Sequence, residues 1–252
     1  MMTQSRFLFP VLFIATLVIG LSSCRKNGPK DIRDYYFPLR ELEEGLVYEY
    51  QPVHLDSLTP AYWYYRSFIQ DEGVFLTGTY YEYDLVPLQL VREELVRNGM
   101  LVQDVYLYDD KPDSTGQQNR TAVEVLQGSA FPFEVTDSSG VFLYKIRWEP
   151  PQDSGAVITL VKNRRYLKDT VVQVLGESHD AILFDVRELL TYDKEGVFEQ
   201  AYGGQEIYAK GLGLVYYNKT IGEGMTLSYA LNRRYPMNEL EQQYEQRMQE
   251  QQ

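Results

Sequence analysis

The chain has 252 residues, of which 44% are hydrophobic, so one large domain or two small ones can form a core. Its 36 acidic residues outnumber 24 basic ones, and the net charge of −12 makes nucleic acid and anionic lipid headgroups poor partners. Cys24 is the only cysteine, which excludes a disulfide within the chain.

The first element is an apolar run of fifteen residues, from Phe7 to Leu21. This length fits the core of a signal peptide and falls short of the about 20 residues that span a bilayer comfortably. The segment LSSC then ends at Cys24 and resembles the lipobox of bacterial lipoproteins, in which the cysteine is acylated and becomes the new N-terminus. We predict a lipoprotein signal peptide over residues 1–23 and a lipid anchor, such as palmitate, on Cys24. A secretory signal with an incidental cysteine is the alternative.

Residues 24–34 are polar and contain Gly28 and Pro29, which predicts a short tether. Ten extended residues reach at most about 35 Å, so the folded domain has to stay close to the membrane. Basic residues, Arg25 and Lys26, follow Cys24 directly. They favour the periplasmic face of the outer membrane.

Residues 35–235 alternate between segments rich in aromatic and β-branched residues and short polar turns. Asn98-Gly99 predicts a hairpin with a type I′ turn. Connections this short join antiparallel neighbours. We predict an all-β domain, a large antiparallel meander curled into an open barrel or folded into a sandwich. The predicted strands cover residues 45–51, 61–69, 73–84, two arms within 88–110, 121–127, 131–135, 141–148, 156–167, 170–176, 180–191, 196–202, 205–210, 213–219 and 225–235.

Residues 236–252 have a different pattern, because Met237, Leu240, Tyr244 and Met248 recur at helical spacing. This stripe predicts a short C-terminal helix packed on the sheet. A frayed tail rich in Gln and Glu is the alternative.

The segment from Tyr208 to Met225 contains four glycines and invites comparison with a phosphate-binding loop. A dinucleotide-binding loop requires three glycines in G-x-G-x-x-G spacing before a helix. Gly211 and Gly213 match, but Tyr216 occupies the third position and a β-type run follows. We therefore predict a bulge or tight bend in the sheet at these glycines.

Residues suited to catalysis or metal binding are few. His54 and His179 have no second ligand at metal spacing, and no G-x-S-x-G motif is present in the sequence. We expect no enzyme activity, no catalytic residue, no cofactor and no metal. A hydrolase built on carboxylates that are distant in the chain is the remaining alternative.

The tyrosines are the candidate ligand-binding residues. Residues two apart on a strand share a face, so each Tyr-x-Tyr segment places two phenols side by side. In one interpretation these are cross-strand aromatic pairs of the core. In the other they form an exposed face for an apolar or sugar ligand. The four segments are Tyr48 and Tyr50, Tyr62 and Tyr64, Tyr81 and Tyr83, and Tyr106 and Tyr108.

Two segments, YYFPLRELEEGLVYEY over residues 35–50 and YAKGLGLVYY over residues 208–217, carry a resemblance. They resemble paired segments of bacterial envelope lipoproteins, chiefly from Bacteroidota, with no established activity. In that family a shorter turn with a tryptophan usually occupies the place of RELEEGLV. The resemblance implies a β-rich envelope protein and assigns no functional residue.

The sequence thus favours a membrane-anchored envelope lipoprotein with a non-catalytic binding or scaffold role. Its ligand would be a protein or a lipid-like molecule close to the membrane. The alternative is a glycan-binding module that uses an exposed tyrosine face, and a hydrolase is the third possibility.

Overall fold

The computed structural model describes residues 28–55, 57–109, 118–136, 140–222 and 224–250. The predicted signal peptide and Cys24 lie outside the described residues. The strands are β1 (Lys30–Asp31), β2 (Leu46–Pro52), β3 (Ala61–Gln70), β4 (Gly73–Tyr81), β5 (Pro87–Val96), β6 (Gly99–Tyr108), β7 (Arg120–Pro132), β8 (Glu134–Val135), β9 (Phe142–Trp148), β10 (Val157–Val174), β11 (Glu177–Asp193), β12 (Val197–Ala209), β13 (Gly213–Gly222) and β14 (Met225–Tyr235). One α-helix, α1, covers Met237–Glu250.

Twelve of these strands form a closed antiparallel barrel. The order follows the chain from β2 to β7, continues through β9 to β14, and returns to β2. The closing pair is β14 with β2, in which Leu231 lies opposite Tyr50 and Tyr235 opposite Val47. The prediction of an all-β antiparallel meander with a C-terminal helix is confirmed, and the sheet closes completely.

Three observed strands each join two predicted segments. They are β7, β10 and β12, and β12 runs unbroken through Gly203 and Gly204. A Cβ at Gly204 would collide with the carbonyl oxygen of Asn218 on β13. The glycine therefore permits a close approach of two strands and does not end one.

The hairpin predicted at Asn98-Gly99 is present, but its turn begins one residue earlier than predicted. Val96 pairs with Gly99, so Arg97 and Asn98 form the turn. Gly99 lies in β6 opposite Pro132 of β7, where a Cβ would collide with the carbonyl oxygen of Phe131. The close contact with β7, rather than the geometry of the turn, therefore explains why position 99 is a glycine.

Residues 30–45, here called the plug, close one end of the barrel. Ile32, Tyr36, Phe37 and Leu42 of the plug are buried among residues from strands on both sides of the barrel. The amide of Ile32 donates to Phe133 (2.8 Å), and that of Gly211 donates to Asp34 of the plug (2.9 Å). Residues 30–34, assigned to the tether from the sequence, are thus part of the folded domain. We call this the plugged end and the other the far end.

Helix α1 packs on the outer face of the barrel. Leu240 is fully buried against Val47, Tyr62 and Tyr235. Beside them Glu49 is buried and accepts a hydrogen bond from the hydroxyl of Tyr235 (2.8 Å). The predicted helix is therefore confirmed. Within the described ranges, no helix combines the length and the apolar character needed to cross a membrane.

Candidate functional site

Charged side chains line the inside of the barrel on four adjacent strands. Alternate residues of a strand share a face, and the inward face of β10 carries Lys162 and Arg164 together with Tyr166, which packs on the core. Pairing places Lys162 opposite Glu188 of β11. Glu206 of β12 and Lys219 of β13 complete the charged set on these four strands. We call these charged residues, together with Glu93 of β5, the charge ladder.

Glu206 is the most enclosed member of the charge ladder, with only 6% of its side chain exposed. The guanidinium of Arg164 donates to it from Nε (2.6 Å), and Lys162 Nζ lies 2.6 Å from its other oxygen. The hydroxyl of Tyr208 also donates to it (3.0 Å). These three donors satisfy the hydrogen-bonding capacity of the buried carboxylate, which offsets the cost of burying its charge.

Glu188 continues the charge ladder toward the far end. Lys162 Nζ lies 3.3 Å from one oxygen of Glu188, and Lys219 Nζ lies 2.5 Å from the other. The Lys219 side chain is 39% exposed. The ladder therefore runs from the sealed core toward solvent.

Ion pairing decides the protonation of both carboxylates. Burial alone would raise the pKa of Glu206, but Arg164 and Lys162 outweigh it and hold that pKa well below its usual range. Burial likewise opposes ionisation of Glu188, and Lys162 and Lys219 lower its pKa nevertheless. Both groups are anions at neutral pH, so neither has a proton to donate as a general acid.

Glu93 joins the charge ladder to the plug. The hydroxyl of Tyr36 donates to Glu93 Oε2 (2.6 Å). Burial raises the pKa of Glu93, against the opposing effects of Tyr36 and Arg164. This carboxyl lies at the plugged side of the ladder, covered by a plug residue.

A cavity of about 230 Å³ lies beside the charge ladder in the far half of the barrel. Lys162, Glu188, Glu206 and Lys219 line it. Three tyrosines form part of the remaining wall. Tyr217 and Tyr229 stack with ring centroids 5.3 Å apart, and Tyr202 lies 4.1 Å below the Lys219 ammonium. The cavity combines flat aromatic surfaces with both hydrogen-bond donors and acceptors.

A row of four side chains, three of them aromatic, continues from the cavity toward the far end. Trp148, Ile158, Tyr192 and Phe198 are register partners across β9, β10, β11 and β12. Phe198 is on the same face of β12 as the cavity residue Tyr202, and it is 62% exposed. At about 4.8 Å per strand the row is about 14 Å wide. We call it the aromatic row.

The eight tyrosines predicted as a possible binding face do not come together. Tyr48 and Tyr50 are fully buried inside the barrel, where burial raises the pKa of Tyr48 to about 12 against the opposing effect of Arg234. Tyr62, Tyr64 and Tyr81 pack under α1. The remaining three are Tyr83, which is exposed beside Arg247, and Tyr106 and Tyr108, which are partly buried.

Two other sequence features have structural explanations. Gly211 and Gly213 have positive φ, 77° and 88°, in the turn between β12 and β13, which confirms the predicted bend. His54 and His179 lie apart, and among the described residues no three His, Cys, Asp or Glu side chains converge as metal ligands.

The charge ladder and the tyrosines that line the cavity, Tyr202, Tyr217 and Tyr229, were missed from the sequence. The available signal was a charge two residues from an aromatic in a strand, as in Arg164-Arg165-Tyr166 and Glu206-Ile207-Tyr208. That spacing places both side chains on one face. Without the pairing of the strands, it does not say that this face is the inner one.

Comparisons with known proteins give a match in fold. A crystal structure of a candidate lipoprotein from Parabacteroides distasonis aligns with a TM-score of 0.53 and 12% identity, covering 80% of this chain and 98% of that one. A candidate exported protein with a YmcC-like fold from Bacteroides fragilis aligns with a TM-score of 0.48 and 12% identity, covering 79% and 98%. No family model and no curated protein matches the sequence. The first likeness shows a shared fold.

Proposed function

We propose that the protein is a non-catalytic envelope lipoprotein, anchored through Cys24, whose barrel binds an uncharged carbohydrate. One sugar ring would occupy the cavity beside the charge ladder. The lipobox supports the anchor, and the P. distasonis protein that shares the fold is described as a candidate lipoprotein. The cavity, with its pairing of aromatic rings and balanced charges, supports the ligand class.

The balance of charge favours an uncharged ligand. Two cations, Lys162 and Lys219, and two carboxylates, Glu188 and Glu206, line the cavity and pair with one another. A charged ligand would leave one sign in excess in a partly buried site, which costs free energy. Hydroxyl groups both donate and accept hydrogen bonds, so a sugar can join this network without disturbing its charge.

The shape of the cavity favours one ring with an extension. Its volume of about 230 Å³ is below the about 300–1,000 Å³ typical of drug-sized ligands. The stacked rings of Tyr217 and Tyr229 offer a flat surface to the C–H face of a sugar. The aromatic row could then carry the following units of a chain.

The same features disfavour the other candidates. An acyl chain in this cavity would desolvate lysines and glutamates without replacing their hydrogen bonds, which argues against a lipid-like ligand. Glu188 and Glu206 share Lys162 and have lowered pKa values, so a hydrolase that uses one of them as the acid lacks the required proton.

Saturation-transfer NMR would test the proposal on the full acylated protein. A polyoxyethylene detergent is suitable because its headgroup contains neither sugar nor phosphate. The probes are glucose, galactose, N-acetylglucosamine and their short oligomers, with glucuronic acid and glucosamine as charged counterparts. We expect transfer from tyrosine ring protons to at least one neutral saccharide.

Two matched variants locate the site. Tyr202→Ala removes a cavity wall and should abolish the transfer. Tyr216→Ala removes a tyrosine from the opposite face of the neighbouring strand and should leave the transfer intact. Transfer only to charged sugars, transfer to none, or equal effects of the two variants would overturn the carbohydrate assignment.

A further inference from the structure

A second and larger cleft, of about 810 Å³, lies at the plugged end. The end of β14, the tip of the β10–β11 hairpin and the plug form its walls. Its polar lining includes Arg233, Arg234 and Glu41, and its apolar lining includes Val174, Leu175 and Leu46. The carbohydrate cavity is in the other half of the barrel, so this is a separate site.

Arg234 is held in place but is incompletely hydrogen-bonded. Its Nη1 lies 3.2 Å from Glu41 Oε1 and 3.2 Å from the hydroxyl of Tyr48. Its guanidinium lies over the Tyr48 ring, 5.4 Å from the centroid. Its buried Nε has no hydrogen-bond partner among the described residues. An unsatisfied guanidinium nitrogen is costly, and an oxyanion is the ligand that its geometry suits.

The hairpin tip opposite Arg234 has an unusual backbone. Leu175 and Gly176 form a two-residue turn in which both φ angles are positive, 53° and 82°. Leucine rarely adopts this conformation. Leu175 lines the cleft and is 40% exposed, so the tip places an apolar group at the rim of a site that holds the Arg234–Glu41 pair.

The hairpin tip also projects from the barrel. Pairing of β11 with β12 ends at Ala181 and Ala209, whereas β10 and β11 stay paired as far as Val174 and Glu177. Val171 on this projection is exposed. Apolar side chains thus stand at the end from which the N-terminal segment leaves, through Lys30.

We propose that this cleft binds a zwitterionic phosphate ester, the headgroup of phosphatidylethanolamine in particular. The phosphate would accept hydrogen bonds from Arg234, since Arg233 faces the outer side of β14 and pairs with Glu239 of α1. The ammonium would pair with Glu41, and the acyl region would lie along Leu175.

Charge and position favour a lipid source. The net charge of −12 repels anionic lipids, whereas a zwitterionic headgroup carries no net charge and matches a site with both signs. Five residues lie between Cys24 and Lys30, so the extended chain from one to the other spans at most about 20 Å and an acylated Cys24 would keep the cleft near the membrane surface. Binding itself depends on neither the anchor nor the carbohydrate cavity.

Phosphorus NMR of soluble headgroups tests this directly with the full acylated protein in polyoxyethylene detergent. Glycerophosphoethanolamine is the headgroup probe, and inorganic phosphate is the probe for a free anion. We expect the wild-type protein to broaden the glycerophosphoethanolamine signal at concentrations at which inorganic phosphate is unaffected. If the two probes bind equally well, the ligand is a free phosphate rather than a lipid headgroup. If neither probe binds, the proposed site is wrong.

Variants at the hairpin tip avoid disturbing the barrel. Asp and Asn both tolerate positive φ, so Leu175→Asp and Leu175→Asn differ chiefly in charge. Leu175→Asp should weaken glycerophosphoethanolamine binding by about tenfold. Arg234→Gln should weaken it by at least as much, because it removes one charge-assisted hydrogen bond. Leu175→Asn should retain wild-type binding. If both tip variants bind like the wild type, the ligand is not in this cleft.

Discussion

Phe37 of the plug lies directly against the backbone of Gly213, at the start of β13. A Cβ at Gly213 would be 2.5 Å from Cδ1 of the Phe37 ring. Phe37 also packs on Tyr65, with ring centroids 4.2 Å apart, so the ring has little freedom to withdraw. The glycine in this turn therefore makes room for the plug rather than for a phosphate.

Gly213→Ala is expected to loosen the plug. Alanine at a φ of 88° costs about 1–2 kcal/mol in backbone strain, and the collision with Phe37 adds to it. Gly211→Ala is the matched control, because Gly211 also has positive φ (77°) but no atom within 4 Å of its added Cβ. Urea unfolding should show a larger loss for Gly213→Ala, and equal losses would mean that the plug contact contributes nothing.

Glu206 should be essential to stability at neutral pH. Glu206→Gln leaves Arg164 and Lys162 without their shared carboxylate, and breaking a buried ion pair in this way costs about 3–5 kcal/mol. Urea unfolding at pH 7 measures the loss. A change below about 1 kcal/mol would show that the ladder rearranges without cost.

The same variant should change the pH dependence. A lowered folded-state pKa stabilises the protein above the ordinary Glu pKa of about 4.3, and this stabilisation is lost as the pH falls from there through the folded pKa. Glu206→Gln should flatten the stability profile below about pH 4.3. Glu93, whose pKa is raised, has the opposite sign, so Glu93→Gln should preserve or increase stability at pH 7. Similar profiles for the two variants would contradict the assignment.

Helix α1 should be held to the barrel chiefly by Leu240. Truncation of this fully buried side chain by Leu240→Ala is expected to cost about 2–5 kcal/mol and to speed amide hydrogen exchange in α1. Met248→Ala, at a side chain that is 41% exposed, should change stability by no more than about 0.5 kcal/mol. Unaltered exchange in Leu240→Ala would indicate that other contacts hold the helix.

Cys24 should be the site of acylation. Because the chain has no other cysteine, Cys24→Ala should abolish incorporation of an alkyne-labelled fatty acid entirely. Mass spectrometry of the wild-type protein should find acylated Cys24 as the first residue. Labelling that persists in Cys24→Ala, or a mature N-terminus elsewhere, would favour an ordinary secretory signal.

Much of the local structure was predictable because its signals are local. Alternating aromatic and β-branched residues predicted the strands, and the stripe of Met237 and Leu240 predicted α1. Internal glycines misled the prediction at Gly99 and Gly203-Gly204. At Gly99 and Gly204 the missing side chain allows a neighbouring strand to approach closely, and β12 continues through Gly203 and Gly204. Neither the close approach nor the continuation of the strand can be read from the spacing of residues in the sequence.

The sequence by itself determined the all-β class, the antiparallel connections and the C-terminal helix, since each follows from the periodicity of neighbouring residues. Only the tertiary structure decided that β14 pairs with β2, and this closure assigns every strand an inner and an outer face. Tyr48 and Tyr62 both looked like members of one patch, yet the first points into the barrel and the second lies under α1. The charge ladder gathers residues from 93 to 219, and the plug brings Tyr36 to it. Period-two alternation defines two faces of a strand, but long-range pairing alone determines which of them is buried.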